Sequence, residues 1–212
     1  MDYLLSNLDE VLTLLLQHLR MTGITLVVAI AIAVPISILV TRIRWLNVPV
    51  LGSLGILYTI PSLALIIFLV PLFGLNATSV IVAMVLYTQV ILVRNLTVGL
   101  DGINPAVLEA ARGMGMSIWQ RWWQVQVPLV LPVFVAGVRI AAVVSIAIAT
   151  IGAKFNAGGL GKLLFDGIQT NRYDKIVAGS IAVAVLAFAV NALLLWLEKR
   201  TNPVQRIAKQ AA

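Results

Sequence analysis

The stretch Val127-Pro-Leu-Val-Leu-Pro-Val-Phe-Val-Ala-Gly-Val-Arg-Ile-Ala-Ala-Val-Val-Ser-Ile-Ala-Ile-Ala-Thr-Ile151 carries a single charge, Arg139. As a helix rising ~1.5 Å per residue it covers ~38 Å, more than the ~30 Å hydrocarbon core of a bilayer. Similar apolar runs occupy Thr22–Val40, Val50–Phe73, Ser79–Leu100 and Ile176–Leu197. The pattern predicts an all-α, polytopic membrane protein of about five spans.

Composition agrees. The chain is 61% hydrophobic and 11% charged, with a mean hydropathy of +1.03, whereas soluble domains run ~45–50% apolar and ~25% charged. Five spans of ~20 residues consume about half of the 212 residues. One membrane domain over 1–212 is therefore expected, with no separate soluble domain. The lack of cysteine excludes a disulfide framework, a thiolate metal site and a cysteine nucleophile. A net charge of +7 raises nucleic acid as a partner, but the basic residues are scattered between apolar runs without a Lys/Arg block, which argues against it.

Met1 to Arg20 sets Leu4, Leu8, Val11, Leu12, Leu15 and Leu19 on one helical stripe, so residues 1–20 are expected to form an amphipathic helix lying on the membrane. Its acidic start, with Asp2, Asp9 and Glu10, is unlike a cleavable signal peptide, and the segment is expected to be retained. Lys/Arg bias sets orientation. The first interhelix loop has Arg42 and Arg44, the second has none, and the tail has Lys199, Arg200, Arg206 and Lys209. These predict the N-terminus outside and the C-terminus inside, although Lys154, Lys162, Arg172 and Lys175 in the last loop dissent. All five tryptophans then fall near the cytoplasmic interface, where amphipathic rings anchor.

Two polar connections stand out, residues 101–126 and the Gly-rich 152–175. In the first, Asn104 and Pro105 open a helix expected over Pro105–Arg112, and Gly113 or Gly115 allows it to stop. Ser117 with Gln120 forms a capping box for a second short helix, running to about Gln126. Ala110 and Ala111 give the first helix a thin face that another protein's backbone could approach, and Glu109 could pair with a donor there. A solvated linker with a surface glutamate is equally compatible with the spacing.

Glu109-Ala-Ala, Gly115 and Val125-Gln-Val-Pro128 together resemble the EAA motif of ATP-binding-cassette importer permeases, and the chain is identified by it as a type-I membrane domain of that kind. The resemblance implies that Glu109, Ala110, Ala111 and Gly115 belong to a coupling element docked on a cytoplasmic ATPase. Further matches are similar to osmoprotectant permeases importing glycine betaine, carnitine or choline: Tyr58-Thr-Ile-Pro-Ser-Leu-Ala-Leu65, Leu86-Tyr87, Arg94-Asn95, Ala136-Gly-Val-Arg139 and Ala157-Gly-Gly-Leu-Gly161. Ile91, Gln126, Lys154 and Asn156 depart from that pattern. The resemblance implies ATPase subunits, a second permease subunit, identical or not, and an extracytoplasmic solute-binding protein as partners in a bacterial inner membrane. ATP and Mg would be bound by the ATPase, with no cofactor on this chain. Within this class a methionine or other amino-acid importer is the rival reading; outside it, a secondary transporter or channel needing no ATPase.

Arg139 lies ~18 Å into its span. A centred arginine costs ~2.5–3.5 kcal/mol on insertion scales and should face protein or water. It is a candidate for the carboxylate of a zwitterion in transit, or a structural partner for polar groups at a kink. Tyr58 and Tyr87 could hold a quaternary ammonium by cation–π attraction, or pack between helices. Pro35, Pro61 and Pro132 fall within apolar runs and favour bends. Gly158, Gly159 and Gly161 suggest a flexible outer turn that could contact a binding protein. The spans contain no Asp/Glu pair for acid–base work, and the only histidine, His18, lies in the amphipathic segment; neither a catalytic site nor a metal site is expected.

Overall fold

The structure, a computed structural model, describes Tyr3 and residues 6–201. The first helix, α1, runs unbroken over Leu8–Arg42. The amphipathic segment and the first span are thus one rod of roughly 50 Å, which corrects the expectation of a separate surface helix over 1–20. One stripe explains the continuity: Leu14, His18, Thr22, Thr25, Ala29, Ala33 and Ser37 are buried at three- and four-residue spacing from end to end. Of the leucines first read as the membrane-facing stripe, Leu8, Leu12 and Leu19 are exposed apolar side chains on the same rod.

After a 3₁₀ turn at Arg44–Leu46 come α2, Asn47–Thr59, and α3, Ser62–Phe73. Together they occupy the run expected to form the second span, but the pair is broken and bent by 96°. The run Val50–Phe73 read as one helix; the cause of the break is Pro61. Proline disfavours helical geometry in the residue before it, and Ile60 is extended at ψ 126°. Pro35 and Pro132, by contrast, sit inside unbroken helices.

The third span is α4, Ala77–Asp101, opened by Asn76, whose side-chain oxygen accepts from the Thr78 N–H at 2.7 Å. Two short helices follow: α5, Pro105–Gly113, and α6, Ile118–Arg121. The second does not stand apart from the membrane domain. It continues through a π turn at Trp122–Gln126 into α7, Val127–Gly152. The chain then makes a 3₁₀ turn at Ala153–Phe155, the short α8, Gly161–Gln169, and α9, Tyr173–Thr201. The tail from 202 lies outside the described residues.

The centre of the bundle is α1, α4 and α7, packed through small residues. An added Cβ on Gly152 would come within 2.5 Å of Val80, and one on Gly137 within 2.8 Å of Asn95. Close backbone approach of this kind is how helices associate inside lipid, where burial of apolar surface gives little driving force. One core cluster joins Met21, Ile66, Val80, Met84 and Ile148; a second, nearer the α5 end, joins Ala29, Ala33, Leu92, Val93 and Ala141. The Gln89 side chain ties α4 to α1 by donating to the Ala29 carbonyl at 3.2 Å. Helix α9 packs on α7 and α8 and leaves Val177, Val185, Phe188 and Leu193 exposed.

Candidate functional sites: a projecting helix, a broken span and a locked turn

Helix α5 is built by local rules. Asn104 accepts from the Ala106 N–H at 3.0 Å, and Pro105 occupies the first turn, where no donor is missed. Its other end is a Schellman motif: the Gly115 N–H donates to the Arg112 carbonyl at 2.9 Å and the Met116 N–H to that of Ala111 at 3.2 Å. Gly115 has φ +79° with open space around it, so conformation, not crowding, calls for glycine. Ser117 and Gln120 complete the reciprocal capping box. Ala111 is the buried residue of α5, while Glu109 and Ala110 are exposed. Within the described residues Glu109 has no ion pair or hydrogen bond. Val107, Met114, Ile118 and Trp119 add exposed apolar surface around it. Of the four expected coupling residues, Glu109, Ala110 and Gly115 are exposed on this one element, whereas Ala111 faces the protein, which corrects the expectation that both alanines form the open thin face.

The break between α2 and α3 brings two other expected residues together. Tyr58, on the last turn of α2, meets Tyr87 of α4 with ring centroids 5.4 Å apart and planes tilted by 54°. Tyr58 is 43% exposed and Tyr87 7%. Residues Thr59, Ile60 and Pro61 beside them are exposed as well. The Thr59 hydroxyl donates to the Ile56 carbonyl at 2.7 Å and the Ile60 N–H to that of Leu57 at 3.3 Å. An aromatic wall thus stands beside non-helical, polar backbone.

Arg139 is not at that wall. Its Nε donates to Glu198 at 3.0 Å and a terminal nitrogen to the Asn191 side-chain oxygen at 3.3 Å, both on α9. Gly137 abuts Asn95 of α4; two residues on, and ~200° around the helix, Arg139 points the other way. Glu198 was missed because it lies near the end of the last apolar run, where a charge reads as the start of the tail.

The Gly-rich segment is not a free turn. Gly158 and Gly159 have φ near +80°, and Asn156 is also left-handed. Gln17 of α1 accepts from the Gly159 N–H at 3.0 Å, and His18 Nδ1 accepts from the Leu160 N–H at 3.3 Å. Since Nδ1 accepts, Nε2 carries the proton and donates to the Ile146 carbonyl at 3.2 Å. His18 is fully buried, as is Leu160. A Cβ on Gly161 would lie 2.0 Å from the Thr150 carbonyl oxygen. Gly159 and Gly161 are thus buried inside the fold, which corrects the expectation of flexibility. The exposed groups nearby are Lys154, stacked 4.8 Å over Phe165, and Asn156. A polar recess beside them is lined by Asp9, Glu10, Gln17, Lys162 and Asp166. The Asp166 carboxyl is partly buried, which raises its pKa, but Lys162 and Lys175 beside it outweigh that and hold it below the usual carboxylate value.

Residues 33–203 match the family model of the binding-protein-dependent transport system inner membrane component. The osmoprotectant import permease protein OsmW of Salmonella typhimurium is 38% identical over 206 residues, covering 95% of this chain and 96% of that one. The carnitine transport permease protein OpuCB of Listeria monocytogenes is 38% identical over 187 residues, 88% and 86% of the two chains. The glycine betaine/carnitine/choline transport system permease protein OpuCB of Bacillus subtilis is 32% identical over 203 residues, 96% and 94%. Among solved structures, an inward-facing MetNI methionine ABC transporter superposes with a TM-score of 0.80 at 20% identity, over 92% of this chain and 97% of the other. That likeness concerns the fold. The chain belongs to the binding-protein-dependent transport system inner membrane component family.

Proposed function

We propose that the chain is the transmembrane permease subunit of an ATP-driven importer for quaternary-amine osmoprotectants such as glycine betaine, carnitine or choline. Two membrane halves, identical or not, work with two ATPase subunits and an extracytoplasmic solute-binding protein. ATP and Mg belong to the ATPase; this chain supplies no catalytic residue and no cofactor site. Glu109, Ala110 and Gly115 form the docking element on that ATPase, with Ala111 on its buried side. Binding energy and ATP act by shifting the equilibrium between outward- and inward-facing arrangements.

The observation that carries the pathway is the break at Ile60–Pro61. A helix end leaves carbonyls without intrahelical partners, and irregular backbone at membrane depth is tolerated only against protein or a water-filled cavity. The exposed break is therefore assigned to the path, with Tyr58 as the exposed aromatic surface on which a quaternary ammonium makes passing cation–π contact and the buried Tyr87 ring packed behind it. Arg139 is assigned a structural role, because Glu198 already meets its charge. The names of the relatives favour osmoprotectants over amino acids as cargo, since their identity to this chain exceeds that of the methionine transporter.

The N-terminus lies outside and the C-terminus inside. The odd number of spans, the Lys/Arg bias of the first loop and the tail, and the acids of the N-terminal segment outweigh the dissenting cations of the last loop. The Gly-rich segment then faces outward, where Gly158 and its neighbours Lys154 and Asn156 meet the binding protein. Cysteine scanning tests both points in this cysteine-free chain. A cysteine at Asn76 should label from outside and one at Gln205 from inside, and a cysteine at Ile60 should label with a water-soluble thiol reagent and be protected by choline. Labelling of Asn76 and Gln205 from one side, or an inert Ile60 position, contradicts the reading.

A further inference from the structure

We infer that the π turn at Trp122–Gln126 is the mechanical joint between the coupling helices and the fourth span, and that an apolar recess beside it is the space into which the joint moves. The inference rests on the docking of α5 proposed above.

Three observations lead to it. The first is a local deficit of backbone hydrogen bonds. The Val127 N–H donates to the Trp122 carbonyl, five residues back, in a wide turn that is rare except as an insertion in a longer helix. Pro128 and Pro132 follow it on the same rod and have no N–H to give to the preceding turn. Over one short stretch the rod thus holds a widened turn and two missing donors, and its bending stiffness is lowest there.

Clamping on one side of that stretch is the second. A Cβ on Gly99 would lie 3.1 Å from Val130 and 3.4 Å from Val133, so α4 grips α7 directly beyond the joint; Gly137 against Asn95 repeats the grip further along. On the other side, α5 and α6 are mostly exposed, with Ala111 the buried residue of α5 and none in α6. A force applied to the short helices is resisted first at the π turn.

Third, there is room to move. An apolar recess of about 220 Å³, open on one side, lies beside the joint, lined by Val34, Ile38, Leu96, Leu100, Trp122 and Phe134. Tightening the π turn to α geometry would turn the coupling helices by ~100° about the rod and shift them by ~1.5 Å. That rotation sweeps Trp122 and Trp123, which both border the recess.

The test uses the complete assembly with its ATPase and binding protein. Val34→Phe fills the recess, and Pro128→Ala restores a donor and stiffens the joint. Each is expected to raise the melting temperature by ~2–4 °C while slowing ATP-driven uptake about tenfold, with the ATPase still co-purifying in full. Raised stability with unchanged uptake overturns the inference. If Val34→Phe melts lower because the phenylalanine overpacks, the Pro128→Ala result alone decides. Loss of the ATPase from the wild-type assembly after Glu109→Lys tests the docking reading separately, so failure of one is distinguishable from failure of the other.

Discussion

Replacing Glu198 by glutamine should damage the protein more than replacing Glu198 and Arg139 together. The two side chains are 3.0 Å apart and each about a quarter exposed, at 26% and 27%. At an effective dielectric of ~20, the gross attraction at that distance is ~5–6 kcal/mol, most of it cancelled by the cost of taking both ions from water. Removing one partner leaves a charge in a span with only the neutral Asn191 beside it, for which ~3 kcal/mol is expected. For a chain of this size, ~2–4 °C per kcal/mol makes the loss ~6–12 °C. Arg139→Gln with Glu198→Gln strands no charge and should lose ~2–4 °C. Melting of the four species in detergent forms a double-mutant cycle; additive losses refute the coupling. Uptake gives a second reading. If Arg139 is structural, Arg139→Gln lowers betaine, carnitine and choline uptake by one common factor. A loss confined to betaine and carnitine, which carry carboxylates, returns Arg139 to the pathway.

Gly161→Ala should be among the most destabilising single-methyl changes, because the 2.0 Å approach is to the Thr150 backbone oxygen and no rotamer can relieve it; roughly 3 kcal/mol or more is expected, read as loss of the folded fraction in fluorescence size-exclusion, and a wild-type profile would contradict the close packing. Tyr58→Ala removes an exposed ring and one face of the aromatic pair, so it should weaken transport of all three quaternary amines several-fold with little change in melting, whereas an equal fall in both would make it a packing residue. Asp166 has a folded pKa below its ordinary value, so the folded state binds fewer protons there; its stabilisation is complete above the ordinary carboxylate value and is lost as pH falls through the lowered one. Melting measured from pH 6 down to about 3 should show that loss, and Asp166→Asn should flatten it.

The parts of the fold that were legible in the sequence are those fixed by neighbours in the chain. Asn104, Gly115 and the Ser117–Gln120 box each act within a few residues, and the structure has all three in their expected roles. The apolar runs of α4 and α7 end within about two residues of their expected limits. Pro61 was visible as a bend, but a continuous apolar run gives no measure of its angle. Long-range partners left no trace. His18 reads as a polar residue in an amphipathic segment, because its partners Ile146 and Leu160 lie 128 and 142 residues away. The same distance hid Gln17 as the cap of the Gly-rich turn, which looked flexible from its glycines alone. The join of the N-terminal segment to the first span was obscured by Arg20, a charge that a helix longer than the bilayer is thick can carry beyond the apolar layer.

The most direct measurement of function is uptake by the purified chain in sealed vesicles. It is reconstituted with its ATPase and solute-binding protein, and labelled glycine betaine, carnitine and choline are offered with ATP or with an imposed ion gradient. Accumulation of at least one of these solutes that requires ATP, ceases with Glu109→Lys and is indifferent to the gradient is the predicted result. Accumulation driven by the gradient in the chain alone, or ATP-driven uptake of an amino acid with none of the quaternary amines, would contradict it.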